Sequence, residues 1–226
     1  MKYNLNKYLK YLKILLFLIS LIMILLFIYS YTKLNYNNNI IYKDKIIYID
    51  DFLNNTEYEK LLINLENDNR NLIDENFRLI LPLDHNNNKI IYDTFYSEKY
   101  INLLQLKTNN YNIFKSDFPI EYRIYPKNSK GMNLHSDTLL YDLPQYEAIY
   151  TIHNNSDSHT KWFDENNKEN SIWTKPNSML IVKADALKHM VTPITIGTRS
   201  ILKLIYTQSD NINNNYKMEL NRFNNL

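Results

Sequence analysis

The stretch "KHMVTPITIGTRSILKLIYT", residues 188–207, decides how the chain is read. Two apolar, β-branched runs flank a turn that carries Gly197, one of only two glycines in the chain, so the segment reads as strand, turn, strand. The same texture runs upstream through "IEYRIYP", "NLHSD", "EAIYTIHN", "KWF", "SIWT" and "SMLIVKA". Eight short β segments from Phe118 onward, spaced at roughly 8 to 12 residues, predict an all-β sandwich or barrel rather than alternating βαβ units.

Ahead of this region the run "KIIYIDDFL", residues 45–53, predicts a first strand. Thr56 and Glu59 have the S/T-x-x-E spacing of a capping box and open a helix whose apolar face is Leu61, Leu62 and Leu65. Residues 66–96 alternate short apolar runs with "NDNRN" and "DHNNN", read as loops around one or two strands, and a second helix is expected over 98–107. The fold class is therefore mainly β with flanking helices. The domain runs from 45 to 210, and the tail, 211–226, is expected to be a loosely held helix or disordered.

Residues 14–31, "ILLFLISLIMILLFIYSY", carry no charge and are long enough to cross a bilayer as a helix. Lys2, Lys7, Lys10 and Lys13 precede this segment without an acid, whereas Lys33, Lys43 and Lys45 beyond it are mixed with Asp44, Asp50 and Asp51. That bias places residues 1–13 in the cytoplasm and, past a linker at 32–44, the domain in the endomembrane lumen. A cleaved signal peptide is the rival reading, but bulky Tyr29, Tyr31 and Leu34 occupy the place of a small-residue cleavage site. In a lumen, Asn54 of "NNT" and Asn154 of "NNS" would become glycosylation acceptors, with Asn54 the more accessible.

The net charge of +2 comes from dispersed lysines with no basic block, which argues against a nucleic-acid partner. With no cysteine, disulfides, thiolate metal sites and cysteine nucleophiles are excluded. Only five of the 26 basic residues are arginine, so each arginine is informative.

In "GMNLHSDTLLYD", residues 131–142, His135 and Asp137 stand two apart, and strand alternation lets both point to one side. A lone H-x-D is weak evidence. His189 supplies a third ligand 52 residues beyond Asp137, and two histidines with one carboxylate form the facial triad of non-haem Fe(II), leaving three coordination positions open. Ten residues past His189 stands Arg199, whose planar fork suits a carboxylate. His85, His153 and His159 have no carboxylate two residues on and read as loop or surface, while Trp162 and Trp173 read as core or pocket wall.

With Tyr125, Gly131, His135, Asp137, His189, Pro193, Gly197 and Arg199 in order, the chain from about Ile46 to Thr207 resembles the Fe(II)- and 2-oxoglutarate-dependent dioxygenases, in particular the prolyl 4-hydroxylase-like branch. The resemblance implies a double-stranded β-helix, or jelly roll, with His135, Asp137 and His189 as catalytic iron ligands. Arg199 would bind the distal carboxylate of 2-oxoglutarate, and Tyr125 would hydrogen-bond the same group. It further implies O2 as oxidant, ascorbate as an accessory reductant, and hydroxylation of a substrate such as a proline or lysine side chain, with release of succinate and CO2. Where that branch carries Gly-Gly-x-Thr-x-Phe this chain has "DSHTKWF", residues 157–163. The alternatives are a jelly-roll binding module without catalysis and a cupin-type metalloenzyme acting on a small molecule.

Overall fold

Along the strand Ser178–Lys183, Met179 and Ile181 enter one buried cluster and Leu180 and Val182 another, so the strand is covered on both faces. That double burial is why "SMLIV" is uninterrupted by polar residues. The computed structural model describes residues 2–35, 41–42, 45–66, 72–75 and 77–224. It divides into two units, 1–38 and 39–226.

The first unit is a helix, α1 (Lys2–Asn35). It contains the whole 14–31 stretch, and its window Leu9–Leu26, with mean hydropathy 2.4 and no residue buried, is long and apolar enough to cross a membrane. Of the linker expected over 32–44, residues 36–40 and 43–44 lie outside the described residues.

The second unit runs β1 (Ile41–Tyr42), β2 (Ile46–Ile49), α2 (Asn55–Glu66), β3 (Ile73–Asp74), β4 (Leu79–Leu83), α3 (Lys89–Phe95), α4 (Glu98–Thr108), β5 (Phe114–Lys115) and β6 (Ile120–Tyr125). It continues with β7 (Met132–His135), β8 (Tyr146–Asn154), β9 (Thr160–Phe163), β10 (Glu169–Ile172), β11 (Ser178–Lys183), β12 (His189–Val191), β13 (Arg199–Thr207) and α5 (Asn214–Asn224). Every one of the eight expected β segments after Phe118 is a strand. They join two antiparallel sheets, one ordered β1-β2-β11-β8-β13-β6-β4-β3 with β5 beside β13, the other β10-β9-β12-β7.

Helices α2, α3 and α4 cover the outer face of the larger sheet. Leu61, Ile91, Phe95, Tyr100 and Leu104 from the helices meet Ile47, Tyr150, Met179, Ile181, Leu202 and Tyr206 from the strands. Each fully buried aliphatic or phenyl side chain there contributes roughly 1.5–3 kcal/mol. Between the sheets lie Ile46, Tyr48, Trp162, Leu180 and Val182. On β13 the alternation sends Leu202, Leu204 and Tyr206 to the helices and Arg199, Ile201 and Lys203 to the interior of the jelly roll.

Three local expectations are corrected. The capping box is Asn54 and Glu57, not Thr56 and Glu59: Glu57 N donates to Asn54 Oδ1 at 2.9 Å and Asn54 N to Glu57 Oε2 at 3.2 Å. "NNTEYE" holds two overlapping boxes, and the earlier one wins because Glu57 also reaches Lys99 (2.9 Å) and the Tyr100 hydroxyl on α4. Residues 66–96 hold a helix, α3, besides two strands; "KIIYDTF" is poor in helix formers, and the burial of Ile91 and Phe95, one turn apart, overrides propensity. The tail beyond 210 is a helix, one of the two expected alternatives, but not a loosely held one, since Tyr216 of α5 packs against Phe118 and Tyr141 at ring-centroid distances of 5.3 and 5.5 Å.

Asn54→Ala is expected to lower the unfolding free energy by about 1 kcal/mol, and Thr56→Ala by less than about 0.5 kcal/mol. Urea unfolding of the two variants checks which box caps α2.

Candidate metal centre

Strands β7 and β12 pair antiparallel with His135 directly opposite His189, and the two imidazole centroids lie 4.4 Å apart. Asp137 stands two residues past His135, where the strand has just ended, and its carboxylate faces the Nε2 atoms of both rings. The Oδ1 atom is 3.7 Å from His135 Nε2 and Oδ2 is 3.5 Å from His189 Nε2. One ligand atom from each of the three lies within 4.8 Å of the others, close enough to share one ion.

The backbone fixes which nitrogen faces inward. His135 Nδ1 is 2.7 Å from the Asn133 carbonyl and His189 Nδ1 is 3.2 Å from the Leu187 carbonyl. A carbonyl only accepts, so Nδ1 carries the hydrogen in each ring and Nε2 presents its lone pair to the centre. Asp137 Oδ2 is buried without a hydrogen-bond partner. An orphaned carboxylate oxygen between two imidazole lone pairs is costly unless a cation completes the group, so the donor set fits a divalent metal.

The electrostatics agree. Burial pushes the Asp137 carboxyl up, but the two adjacent imidazoles and the Lys203 charge outweigh it and hold the group down at about 2. His189 is lowered, chiefly by burial, and is neutral at pH 7. The adjacent Asp137 carboxylate raises His135 against the opposing effect of burial.

Arg199 and Tyr125 face the same pocket. They are cross-strand partners on β13 and β6, each 2% exposed. Arg199 Nε is buried without a partner, and burial lowers the guanidinium pKa. The Tyr125 hydroxyl is lowered despite burial because Arg123, Arg78 and Arg199 surround it. Arg78 and Arg123 are paired with Glu75 and Glu121, so Arg199, with Nε unpartnered, is the cation in this recess that suits an anionic guest.

Both glycines brace the site. Gly131, at φ +70°, precedes β7, and a Cβ there would lie 2.1 Å from the Val191 carbonyl oxygen of β12. Gly197, at φ +73°, precedes Arg199 by two residues, and a Cβ there would lie 2.3 Å from the Asn155 carbonyl oxygen. Neither backbone conformation nor space admits a side chain.

His85 and His153 are exposed, His159 is half-buried, and none of the three lines the pocket. Trp162 is core, whereas Trp173 sits at the surface with Nε1 donating to the Ser156 carbonyl at 2.9 Å. Sequence reasoning missed the charged residues around the triad: Arg78, Glu121, Arg123, Glu147 and Arg222. The scarcity of arginine could have found them, since four of the five line this pocket and the fifth, Arg70, lies outside the described residues.

The fold is that of the 2-oxoglutarate- and Fe(II)-dependent oxygenases. Among the solved structures it resembles is an oxidoreductase of the 2OG-Fe(II) oxygenase family from Burkholderia pseudomallei (TM-score 0.63, 9% identity, 74% of this chain and 86% of that one). A prolyl-4-hydroxylase from Pseudomonas putida matches at TM-score 0.59 and 13% identity over 73% of this chain and 93% of that one. HygX from Streptomyces hygroscopicus, with nickel and 2-oxoglutarate bound, matches at TM-score 0.53 and 12% identity over 72% and 82%. At these identities the likeness is one of fold. No family model and no curated protein sequence matches the chain.

Gly131→Ala is expected to destabilise the domain by at least about 1–3 kcal/mol and to shift β7 away from β12. An unchanged thermal midpoint, with unchanged cross-peaks between the His135 and His189 rings by NMR, would contradict the role given to this close approach.

Proposed function

We propose that this chain is an Fe(II)- and 2-oxoglutarate-dependent dioxygenase that hydroxylates a C–H bond of its substrate. The observation that carries the reading is the convergence, in one pocket, of His135, Asp137 and His189 with an arginine whose donors are unspent. The overall reaction balances as C–H plus O2 plus 2-oxoglutarate going to C–OH plus succinate plus CO2. Iron, when bound, supplies the activation of O2. The chain's own residues do the rest. Two neutral Nε2 atoms and one ionised carboxylate hold a single divalent ion and leave part of its coordination sphere free. Arg199 offers a bidentate fork to the distal carboxylate of 2-oxoglutarate, and the Tyr125 hydroxyl stands beside it. Ascorbate would act only to restore the reduced ion after uncoupled turnover. The acceptor is a protein side chain such as proline or lysine on this reading, and a +16 Da product in cells with the wild type but not with His135→Ala identifies it.

The iron-loaded full chain should release succinate slowly from 2-oxoglutarate alone, and His135→Ala, Asp137→Ala and His189→Ala should each abolish it. Arg199→Lys keeps the charge but loses the fork, and is expected to weaken 2-oxoglutarate about tenfold, or about 1.4 kcal/mol, with Arg199→Ala losing more. Acid should release the metal through His135, whose protonated form cannot ligate. The ion competes with the proton for the same nitrogen, so raising the Fe(II) concentration should move the loss to lower pH. Equal succinate release by the three alanine variants and the wild type would end the reading.

We further propose that α1 anchors the chain in a membrane, with the N-terminus cytoplasmic and the domain lumenal. The apolar window and the lysines ahead of it support this. Asn54 is exposed and caps α2 through Oδ1, which leaves its amide nitrogen for a glycan, whereas Asn154 is 4% exposed and its Nδ2 donates to the Thr174 carbonyl at 2.8 Å. Expression in eukaryotic cells should give one glycan, at Asn54, and a domain shielded from protease in intact microsomes. An unglycosylated chain digested in intact microsomes would place the domain in the cytoplasm.

A further inference from the structure

The charged residues lining the pocket divide into those with close partners and those without. Arg123 donates twice to Glu121 Oε2, at 2.9 and 2.7 Å, and Arg78 meets Glu75 Oε2 at 2.8 Å through both Nε and Nη2. Lys203 meets Glu147 at 2.6 Å. These are the lengths of charge-assisted bonds. Arg222, on α5, has nothing comparable. Its Nη2 makes one long hydrogen bond, to Glu121 Oε2 at 3.4 Å, and Nη1 lies 3.7 Å from Glu219 and 4.0 Å from Glu75. The Glu121 oxygen it approaches already accepts two N–H groups from Arg123. Its Nε is buried without a partner, although its side chain as a whole is one-third exposed.

Arg222 is nonetheless held in place. Tyr216 and Phe223 of α5 pack on Phe118, and the guanidinium carbon lies 5.0 Å from the Phe223 ring centroid. The pocket thus presents two guanidinium groups whose Nε has no partner, fully buried Arg199 and partly exposed Arg222.

We infer that Arg222 is a second anion site, and that the substrate carries a carboxylate or phosphate which this guanidinium holds beside the metal centre. The inference rests on the proposed dioxygenase reading, in which Arg199 is taken by 2-oxoglutarate. A planar oxyanion would satisfy the donors that the three distant carboxylates leave unmet. Glu219, on the same helix and also lining the pocket, is the group it would compete with.

The test uses the full chain in a neutral detergent, loaded with redox-inert Ni(II) and 2-oxoglutarate, and titrated with hexanoate, hexyl phosphate or hexanamide by calorimetry. One or both anions should bind and the amide should not, and their ratio tells carboxylate from phosphate. Arg222→Gln should weaken the bound anion about tenfold or more. Glu219→Gln should tighten it several-fold, a direction that loss of folding cannot produce. Anion affinity no greater than that of hexanamide, or unaltered by either substitution, overturns the inference. Succinate release by the iron-loaded chain, abolished by His135→Ala, is measured in parallel. Its failure with anion binding intact removes the dioxygenase reading, and the reverse removes only the Arg222 site.

Discussion

Because β7 and β12 pair with His135 opposite His189, two imidazoles separated by more than fifty residues of chain are brought to 4.4 Å without help from any loop. The pairing depends in turn on a close backbone approach that only glycine allows, Gly131 lying against Val191 and Thr192. Once the strands are set, the short segment after β7 brings the carboxylate to the same point. Asp137 stands two residues on, within 3.7 Å of both Nε2 atoms, and the Nδ1 contacts to backbone carbonyls turn both lone pairs toward it. The far side of the pocket is built the same way, since β13 starts at Arg199 and β6 ends at Tyr125, its cross-strand partner.

Those features were legible because they are local or periodic. A two-residue spacing, a ten-residue spacing and a run of alternating β segments can be read from one sequence, and the glycines stood out because there are only two. What was not legible depended on contacts distant in sequence. Helix α3 exists because Ile91 and Phe95 find the outer face of the larger sheet, a contact that the propensity of "KIIYDTF" opposes. The cap of α2 was misplaced by two residues because Glu57 is selected by Lys99 and Tyr100, some forty residues away. Helix α5 looked like a polar tail, since only Tyr216, Leu220 and Phe223 meet the core.

The charged groups around the triad raise a separate energetic question. Glu121 with Arg123 and Glu147 with Lys203 are buried pairs, and burying such pairs at best breaks even against apolar residues of similar volume. Stability therefore does not explain why the interior of this jelly roll carries them while the face toward the helices is apolar. Their positions do. Lys203 helps to hold the Asp137 carboxyl ionised, and Arg123 helps to lower Tyr125 beside Arg199. Burial and the nearby Asp137 charge push Glu147 up, which weakens the charge it sets against Lys203. Each pair thus sets a cation beside a group that lines the proposed site, Lys203 by Asp137 and Arg123 by Tyr125, and the cost of burial goes with that placement rather than with the fold.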